Sequence, residues 1–207
     1  MTLFTKLAER CSAGVLSASA RLVSVCVVSI FTIASTPTAR ASDGGFIPSV
    51  ASSPPPSGAI NLCTQYNWAC AGKRSVSMSS QQEFRVVEQV NRSVNRSTRE
   101  VTDQSQYKTR ERWALPTAIG GDCEDFALLK KRDLIHAGVD PSKLLIATVL
   151  DRRRVPHAVL VYRTANGDLV LDNLTNRIKP WTATRYLFLR MQDPKRPSRW
   201  VGVYGHS

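Results

Sequence analysis

The spacing of apolar residues changes near the middle of this sequence, and that change constrains the fold more than any other feature. Apolar residues recur at helical intervals in two segments, at 84–94 and at 126–135, which a polar stretch at 96–116 separates. From residue 144 onward they instead form short runs rich in β-formers. Helices followed by antiparallel strands are typical of an α+β domain. We therefore predict an α+β fold in which one helix packs on an antiparallel sheet.

Two helices are predicted from the first part. The first begins near Ser80, where Glu83 three residues on completes a capping box. Its apolar positions, which we expect to face the core, are Phe84, Val87, Val90 and Val94. The second helix follows the Gly120–Gly121 pair, has Asp122 at its N-cap and ends at Gly138.

Strands are predicted from the apolar runs of the second part. Asn166 and Gly167 form a turn between the run at 155–163 and the run at 169–172, so the strands of these two runs are expected to pair as a hairpin. The last two runs add one or two strands. The five runs are residues 144–150, 155–163, 169–172, 186–191 and 200–204.

The N-terminus is typical of a secretory signal. Three basic residues precede an apolar run at 22–34, which has about 13 residues where a spanning helix needs about 20. Small residues in an A-x-A pattern then end at Ala41, so cleavage is expected after Ala41. The alternative is an uncleaved membrane anchor. Cleavage predicts a periplasmic or secreted protein with no integral membrane segment.

The 207 residues are enough for one or two domains. Residues 42–61 are rich in Gly, Ser and Pro and are interpreted as an extended linker rather than a packed element. We divide the chain into a signal peptide at 1–41, a linker and N-terminal segment at 42–77, and a domain at 78–207.

The chain is basic, with a formal net charge of +12. Removal of residues 1–41 takes away four basic residues and one acidic residue, which leaves +9. Basic residues are spread along the remainder and form runs only at 130–132 and 152–154. No aromatic-interleaved basic motif accompanies them, so nucleic-acid binding is not predicted.

Five cysteines are present, of which Cys11 and Cys26 leave with the signal peptide. Cys63 and Cys70 lie seven residues apart and could close a small disulfide loop in an oxidising compartment. Cys123 is then unpaired. Such a residue is either a reactive thiol or an inert cysteine of the core.

The densest chemical signal is the sequence GGDCEDFA at residues 120–127. Cys123 is expected in the first turn of a helix, where the helix dipole favours a thiolate. The carboxylates of Asp122, Glu124 and Asp125 act in the opposite direction, because they disfavour a second negative charge. The thiol therefore needs a base partner or a bound cation.

His157 is the histidine best placed to be that base. His136 lies near the far end of the same helix, about 20 Å from Cys123 at roughly 1.5 Å per residue, and His206 is next to last in the chain. His157 begins the second apolar run and Asp172 ends the third. Antiparallel pairing brings the start of one strand beside the end of the next, so His157 and Asp172 are predicted neighbours.

A cysteine on a helix, a histidine on one strand and an aspartate on the next have the chemistry of a nucleophile, a general base and a residue that orients the base. A structural histidine and a turn aspartate are the alternative. The Cys123 backbone N–H is the expected oxyanion donor, and the indole N–H of Trp113 is a candidate for a second.

Three blocks, GDCEDFA, PHAVLVY and LVLDNL, resemble the bacterial transglutaminase-like cysteine proteinases, which include the periplasmic LapG-type proteases. The resemblance runs from about residue 87 to 203. It implies a papain-like, transglutaminase-like domain whose nucleophile helix packs on an antiparallel sheet. It also implies that Cys123 is the nucleophile, His157 the general base and Asp172 the orienting residue.

The resemblance further implies a calcium site, because LapG-type members bind Ca²⁺ through carboxylates beside the cysteine. Asp122, Glu124 and Asp125 match those positions, and hard oxygen ligands suit this ion. The alternative is that Asp122 caps the helix while Glu124 and Asp125 favour its dipole.

The function expected from these features is an exported cysteine peptidase with a protein substrate at the cell surface or in the periplasm. By resemblance, a membrane-bound regulator is a further expected partner. The alternatives are an acyl transferase or amidase of the transglutaminase type, and a non-catalytic binding protein on the same fold.

Overall fold

The computed structural model describes residues 45–75 and 77–206, so the predicted signal peptide at 1–41 lies outside the described residues. The described helices are α1 Leu62–Gln65, α2 Ser80–Ser97, α3 Asp103–Tyr107 and α4 Cys123–His136. The described strands are β1 Ala51–Ser53, β2 Leu144–Leu150, β3 Pro156–Arg163, β4 Asp168–Leu171, β5 Lys179–Pro180, β6 Leu187–Gln192 and β7 Trp200–His206. None of these helices has the length and apolar character of a membrane span.

All seven strands join one antiparallel sheet in the order β1-β7-β6-β2-β3-β4-β5. The predicted α+β fold is confirmed, and α4 packs on β2 and β3 at the sheet centre. Residues alternate between the two faces of a strand. In β2, Leu144 and Ile146 therefore contact one core cluster and Leu145 and Val149 the other, which explains why this strand is apolar at every position except Thr148.

The N-cap of helix α2 is Ser79, one residue before the Ser80 that the sequence indicated. The capping box is formed by Ser79 and Gln82. Glu83, which the sequence assigned to that box, is instead buried and accepts hydrogen bonds from Lys143 and Tyr162. The predicted box was wrong by one residue because both pairs satisfy the same sequence pattern.

Residues 45–61 are not an extended linker, and that interpretation is wrong. Strand β1 pairs with β7, with Ala51 opposite Gly202. Ile47 and Ala59 are buried in the two core clusters. The Gly, Ser and Pro content reflects tight turns packed against the domain.

The predicted disulfide is formed between Cys63 and Cys70, and Cys123 is a free thiol. The loop that the disulfide closes is tied to the sheet through Gln192, whose Nε2 donates to the Ala69 carbonyl at 3.0 Å. Gln192 Oε1 accepts from the Nζ of Lys131 at 2.7 Å. A buried lysine of α4 and the disulfide loop thus share one partner at the end of β6.

Candidate active site

The hairpin of β3 and β4 brings His157 and Asp172 together. Leu160 pairs with Leu171, and Asp172 follows directly on that pair. The turn needs glycine at 167, where φ is 138° and an added Cβ would collide with the backbone of Gly45. The Nε2 of His157 lies 3.0 Å from Oδ1 of Asp172, so the predicted contact between these residues is confirmed.

The carboxylate of Asp172 is held by two further donors. Its Oδ1 accepts from the backbone N–H of Leu174 at 3.0 Å, and its Oδ2 accepts from the phenol of Tyr186 at 2.6 Å. Burial by itself raises the pKa of Asp172, but the hydrogen bond and charge of His157 outweigh burial, with help from Tyr186. The pKa of Asp172 is therefore below its usual value, and the residue is a carboxylate.

Tyr186 was not identified from the sequence as a site residue. Its ring also meets the imidazole of His157 edge-on, with 5.9 Å between ring centroids. The only sequence signal was a tyrosine at the start of the fourth apolar run, which is equally typical of the core. Tyr186 thus fixes both members of the pair, one by a hydrogen bond and the other by ring packing.

Helix α2 holds the segment that follows Asp172. The amide of Asn95 donates to the carbonyl of Asp172 at 2.9 Å and to the side chain of Asn176 at 2.9 Å. The amide of Asn91 donates to the carbonyl of Asn176 at 3.2 Å. These bonds join residues about 80 positions apart, which no local sequence pattern could reveal.

Cys123 is the first residue of α4, and its thiol faces the start of β3. The backbone N–H of Ala158 donates to Sγ at 3.3 Å, and Ala158 directly follows His157. The thiol also contacts Oε2 of Glu124 at 3.2 Å. Since Asp172 occupies Nε2 of His157, Nδ1 is the ring nitrogen left for the thiol.

The thiol is strongly disfavoured as a thiolate in this arrangement. Burial raises the pKa of Cys123, and the charge and hydrogen bond of Glu124 raise it further. The N–H of Ala158 lowers it by a smaller amount. The helix dipole therefore does not activate Cys123 by itself, and the need for a base or a cation that the sequence indicated still holds.

The Gly120–Gly121 pair permits the close approach that begins α4. Gly120 has φ of 137°, and an added Cβ would lie 2.2 Å from the carbonyl oxygen of Arg99. A Cβ on Gly121 would lie 2.6 Å from Oδ2 of Asp125. Both positions therefore require glycine, and together they set where Cys123 enters the helix.

Three carboxylates beside Cys123 form a candidate cation site. Asp103, Asp122 and Glu124 each offer an oxygen atom, and these atoms all lie within 4.8 Å of one another. Asp103 was not a sequence candidate, since it lies 19 residues before Asp122 and reaches it through α3. The backbone N–H of Asp103 donates to Oδ2 of Asp122 at 3.2 Å.

The charges of this cluster are only partly compensated, by the backbone N–H and the guanidinium of Arg112 beside Asp103. Oδ1 of Asp122 is buried without a hydrogen-bond partner among the described residues. Burial and the charge of Asp122 raise the pKa of Glu124 to about 9, and burial likewise raises the pKa of Asp103. A buried oxygen without a donor and several hard carboxylate ligands fit a cation such as Ca²⁺.

Asp125 does not belong to this group, although the sequence proposed it as a ligand. Its Oδ1 accepts from the backbone N–H of Ala114 at 2.9 Å, and burial raises its pKa to about 7. Residues one position apart on a helix differ by about 100° in direction. Asp125 therefore points into the domain, away from the face that carries Glu124.

Asp122 occupies the N-cap of α4, but its side chain makes no capping hydrogen bond. The capping role considered as the alternative to metal binding is therefore wrong for this side chain. The backbone carbonyl of Asp122 accepts the first helical bond, from Phe126. Its carboxylate is directed to Asp103 instead.

Trp113 is not available as an oxyanion donor. Its side chain is 2% exposed, and its indole N–H donates to Oε1 of Glu111 at 2.9 Å. The ring packs edge-on against Trp200 at 5.8 Å between centroids. Trp113 is therefore a core residue, and the donor expected from sequence is wrong.

Comparisons with known proteins agree with this fold. The sequence profile of the bacterial transglutaminase-like cysteine proteinases matches residues 49–207. Calcium-bound LapG from Legionella pneumophila is similar with 24% identity and a TM-score of 0.50, over 64% of this chain and 75% of that chain. A second LapG structure from that organism has 26% identity and a TM-score of 0.45, over 54% and 65% of the two chains. No curated protein sequence matches this chain.

Proposed function

This chain belongs to the bacterial transglutaminase-like cysteine proteinases, and from that premise we propose that it hydrolyses peptide bonds with Cys123, His157 and Asp172. The observation that carries the proposal is the contact of the Cys123 thiol with Ala158, immediately after a histidine whose Nε2 is held by Asp172 at 3.0 Å. A nucleophile, a base and an orienting carboxylate are thereby adjacent.

In this mechanism Nδ1 of His157 takes the proton of the Cys123 thiol as Sγ attacks the carbonyl carbon of the scissile bond. The oxyanion that forms accepts a hydrogen bond from the backbone N–H of Cys123, which begins α4 and has no preceding helical acceptor. The imidazolium then protonates the leaving amine, and the C–N bond breaks. Water, deprotonated by His157, hydrolyses the thioester and returns the thiol.

Asp172 stabilises the imidazolium and fixes the ring orientation throughout. Its low pKa keeps it ionised, so it compensates the positive charge that His157 gains when it takes the proton. Tyr186 and the backbone of Leu174 keep the carboxylate in place. These groups explain how the base is oriented without a fourth catalytic residue.

We propose further that Asp103, Asp122 and Glu124 bind Ca²⁺, with backbone carbonyls or water completing the coordination. The geometry and the charge of the cluster support this assignment, and a LapG structure of the same fold is calcium-bound. When bound, the ion supplies positive charge beside Cys123, which lowers the pKa of the thiol. The ion therefore offsets the carboxylates that otherwise keep Cys123 protonated.

The site of action and the partners belong to the proposal as well. The signal sequence at 1–41 supports export to the periplasm or the medium, where a protein at the cell surface is the substrate. The formation of the Cys63–Cys70 disulfide is consistent with an oxidising compartment. A membrane-bound regulator is proposed from the family resemblance alone.

Cysteine reactivity tests the mechanism. The protein from Ser42 onward is treated with iodoacetamide between pH 5 and 10 with calcium present, and the labelled residue is identified by mass spectrometry. We expect Cys123 to react with an apparent pKa below the roughly 8.5 of an ordinary thiol and His157→Ala to abolish this activation. His136→Ala, at an exposed position near the end of α4, is the matched control.

Digestion of an unfolded protein such as reduced casein tests hydrolysis directly. New peptide termini that depend on Cys123 and His157 would support the peptidase. An ordinary thiol pKa that His157→Ala leaves unchanged, together with no new termini, would reject the mechanism.

A further inference from the structure

A cavity of about 440 Å³ lies beside Asp172, and its lining does not include Cys123. One wall is the turn between β2 and β3, which ends just before His157. The other wall is the segment from 172 to 179, which follows β4. Asp172 and Tyr186 line the cavity, so it shares two residues with the proposed active site.

Four cationic side chains line this cavity. Arg152 and Arg153 come from the β2–β3 turn, Arg177 from the opposite wall and Lys179 from β5. Within residues 45–75 and 77–206, none of these four forms an ion pair with a carboxylate. No described carboxylate is therefore bound directly to any of the four side chains.

The two carboxylates that also line the cavity are already occupied. Oδ1 of Asp151 accepts from the backbone N–H groups of Arg153 at 2.7 Å and Val155 at 2.9 Å. Asp172 is bonded to His157, Leu174 and Tyr186. Four positive charges therefore line the cavity against two negative ones, and both carboxylates are already hydrogen-bonded. The net positive charge of the lining favours an anion from outside the chain.

Both walls are fixed before any ligand arrives. The bonds of Asp151 hold the β2–β3 turn, in which the backbone of Arg154 also donates to the carbonyl of Asp151 at 2.9 Å. The bonds from Asn95 hold the opposite wall. Because the backbone of both walls is already held, only the exposed side chains of Arg152, Arg153 and Arg177 lose conformational freedom when an anion binds between them.

We propose that this cavity binds an acidic side chain of the protein substrate, a few residues from the scissile bond. This inference rests on the proposed peptidase function and names the specificity of the same site. Asp172, which lines the cavity, is bonded to the imidazole of His157, and the next residue, Ala158, contacts the Cys123 thiol. An extended peptide advances about 3.3 Å per residue, so a chain bound at Cys123 reaches the cavity within a few residues.

The cavity suits a carboxylate on a short aliphatic stem. A guanidinium group binds a carboxylate through two parallel hydrogen bonds, and Arg152, Arg153 and Arg177 offer this geometry from two sides. Leu174 at the rim is 55% exposed and provides apolar surface for methylene groups. Glutamate and aspartate side chains combine these two features.

Binding can be measured without hydrolysis. The Cys123→Ser protein is titrated calorimetrically with acetyl-Ala-Ala-Glu-Ala-Ala-amide and with the glutamine peptide, at low salt and with calcium. We expect the glutamate peptide to bind about tenfold more tightly than the glutamine peptide, because one hydrogen bond to a charged group contributes a binding free energy of about this size. Inorganic phosphate is titrated in parallel.

Arg152→Gln/Arg177→Gln removes one charge from each wall, and we expect it to reduce the tenfold preference to about twofold or less. The matched control is Arg85→Gln/Arg96→Gln, which removes the same charge from exposed positions of α2 and should retain the preference. Equal loss in both double variants would show that net charge alone is responsible, and would overturn the inference. Phosphate that binds more tightly than the glutamate peptide would identify a free-anion site and would also overturn it.

Cleavage profiles of the wild-type protein separate this inference from the proposed function. A peptide library digested by the active protein should show acidic residues enriched at one position near the cleaved bond, and the enrichment should fall in Arg152→Gln/Arg177→Gln. Selective binding of the glutamate peptide with no cleavage would reject the proposed peptidase activity and support the binding of acidic side chains in the cavity. Cleavage with no acidic preference would support the peptidase activity and reject the binding of acidic side chains in the cavity.

Discussion

Tyr186 donates its phenol proton to Oδ2 of Asp172 at 2.6 Å, on the opposite side of the carboxylate from His157. Because both oxygens of Asp172 are bonded, the carboxylate cannot rotate without breaking a buried hydrogen bond. Tyr186 therefore acts as a positioning residue for the imidazole, and it is absent from the three sequence blocks that carry the family resemblance.

Tyr186→Phe should lower kcat/KM by about tenfold, which is a part of the roughly 10²- to 10⁴-fold that a positioned acid–base group contributes. The lost bond lowers the pKa of Asp172 in the wild type, so the acid limb of the pH–rate profile should move to higher pH. Tyr162→Phe is the control, since it removes a buried phenol bonded to Glu83, away from the site. A similar loss of activity in both variants would indicate a general effect on stability.

Calcium affinity should depend on Asp103 and not on carboxylates elsewhere on the surface. Asp103→Asn removes a charge from the three-carboxylate group, and we expect at least about a tenfold rise in the Kd for Ca²⁺ by calorimetry. Asp133→Asn, on the other side of α4, is the control. An unchanged Kd in Asp103→Asn would place the ion elsewhere.

Calcium binding should release protons at neutral pH. The carboxyl of Glu124 has a pKa raised to about 9 by burial and Asp122, whereas a bound cation requires the ionised form. Affinity should therefore rise between pH 6 and 8, and unbuffered protein should acidify when calcium is added. No proton release at pH 7 would contradict the raised pKa of Glu124.

The buried amine of Lys131 should make stability depend on pH in the alkaline range. Burial lowers its pKa from 10.5 to about 7, so the unfolded chain binds more protons between these values. The free energy of unfolding should thus rise as pH increases from about 7 to about 10. Burial lowers the pKa of Lys130 to about 7 as well, so Lys131→Met should reduce that rise by about half in urea unfolding curves. Lys195→Met at an exposed position should keep the full rise.

The Cys63–Cys70 disulfide should stabilise the domain by about 2–3 kcal/mol, as expected for a loop of this length. Cys63→Ser/Cys70→Ser should lower the urea midpoint accordingly while Cys123 remains the reactive thiol. The loop is held to the sheet through Ala69 and Gln192, so activity should persist at temperatures where the variant stays folded. Complete loss of folding would show that the N-terminal segment contributes more than a loop constraint.

The strands were predictable because their pattern is local. Residues 144–150 form β2 as predicted, and β3 begins one residue after the predicted start. The contact of His157 with Asp172 followed from a single turn and the geometry of antiparallel pairing. Because a short turn joins these two strands, few other pairings of their residues were possible.

The remaining site residues depend on long-range packing. Asp103 replaces Asp125 in the acidic group because α3 folds back on α4, and nothing within 19 residues of Asp122 signals that contact. Asn95 reaches Asp172 from α2, and Tyr186 reaches it from the position just before β6. The segment at 45–61 was mistaken for a linker because its pairing partner, β7, is about 150 residues away.

Cys123 is synthesised 63 positions before Tyr186, and β6, which follows Tyr186, must insert beside β2 to deliver the phenol. Until that strand is in place, Asp172 lacks one of its donors and the imidazole lacks a packing partner. A chain that lacks β6 therefore presents the Cys123 thiol beside an imidazole that Tyr186 does not yet hold, and the orientation of His157 is completed only when the last strands join the sheet.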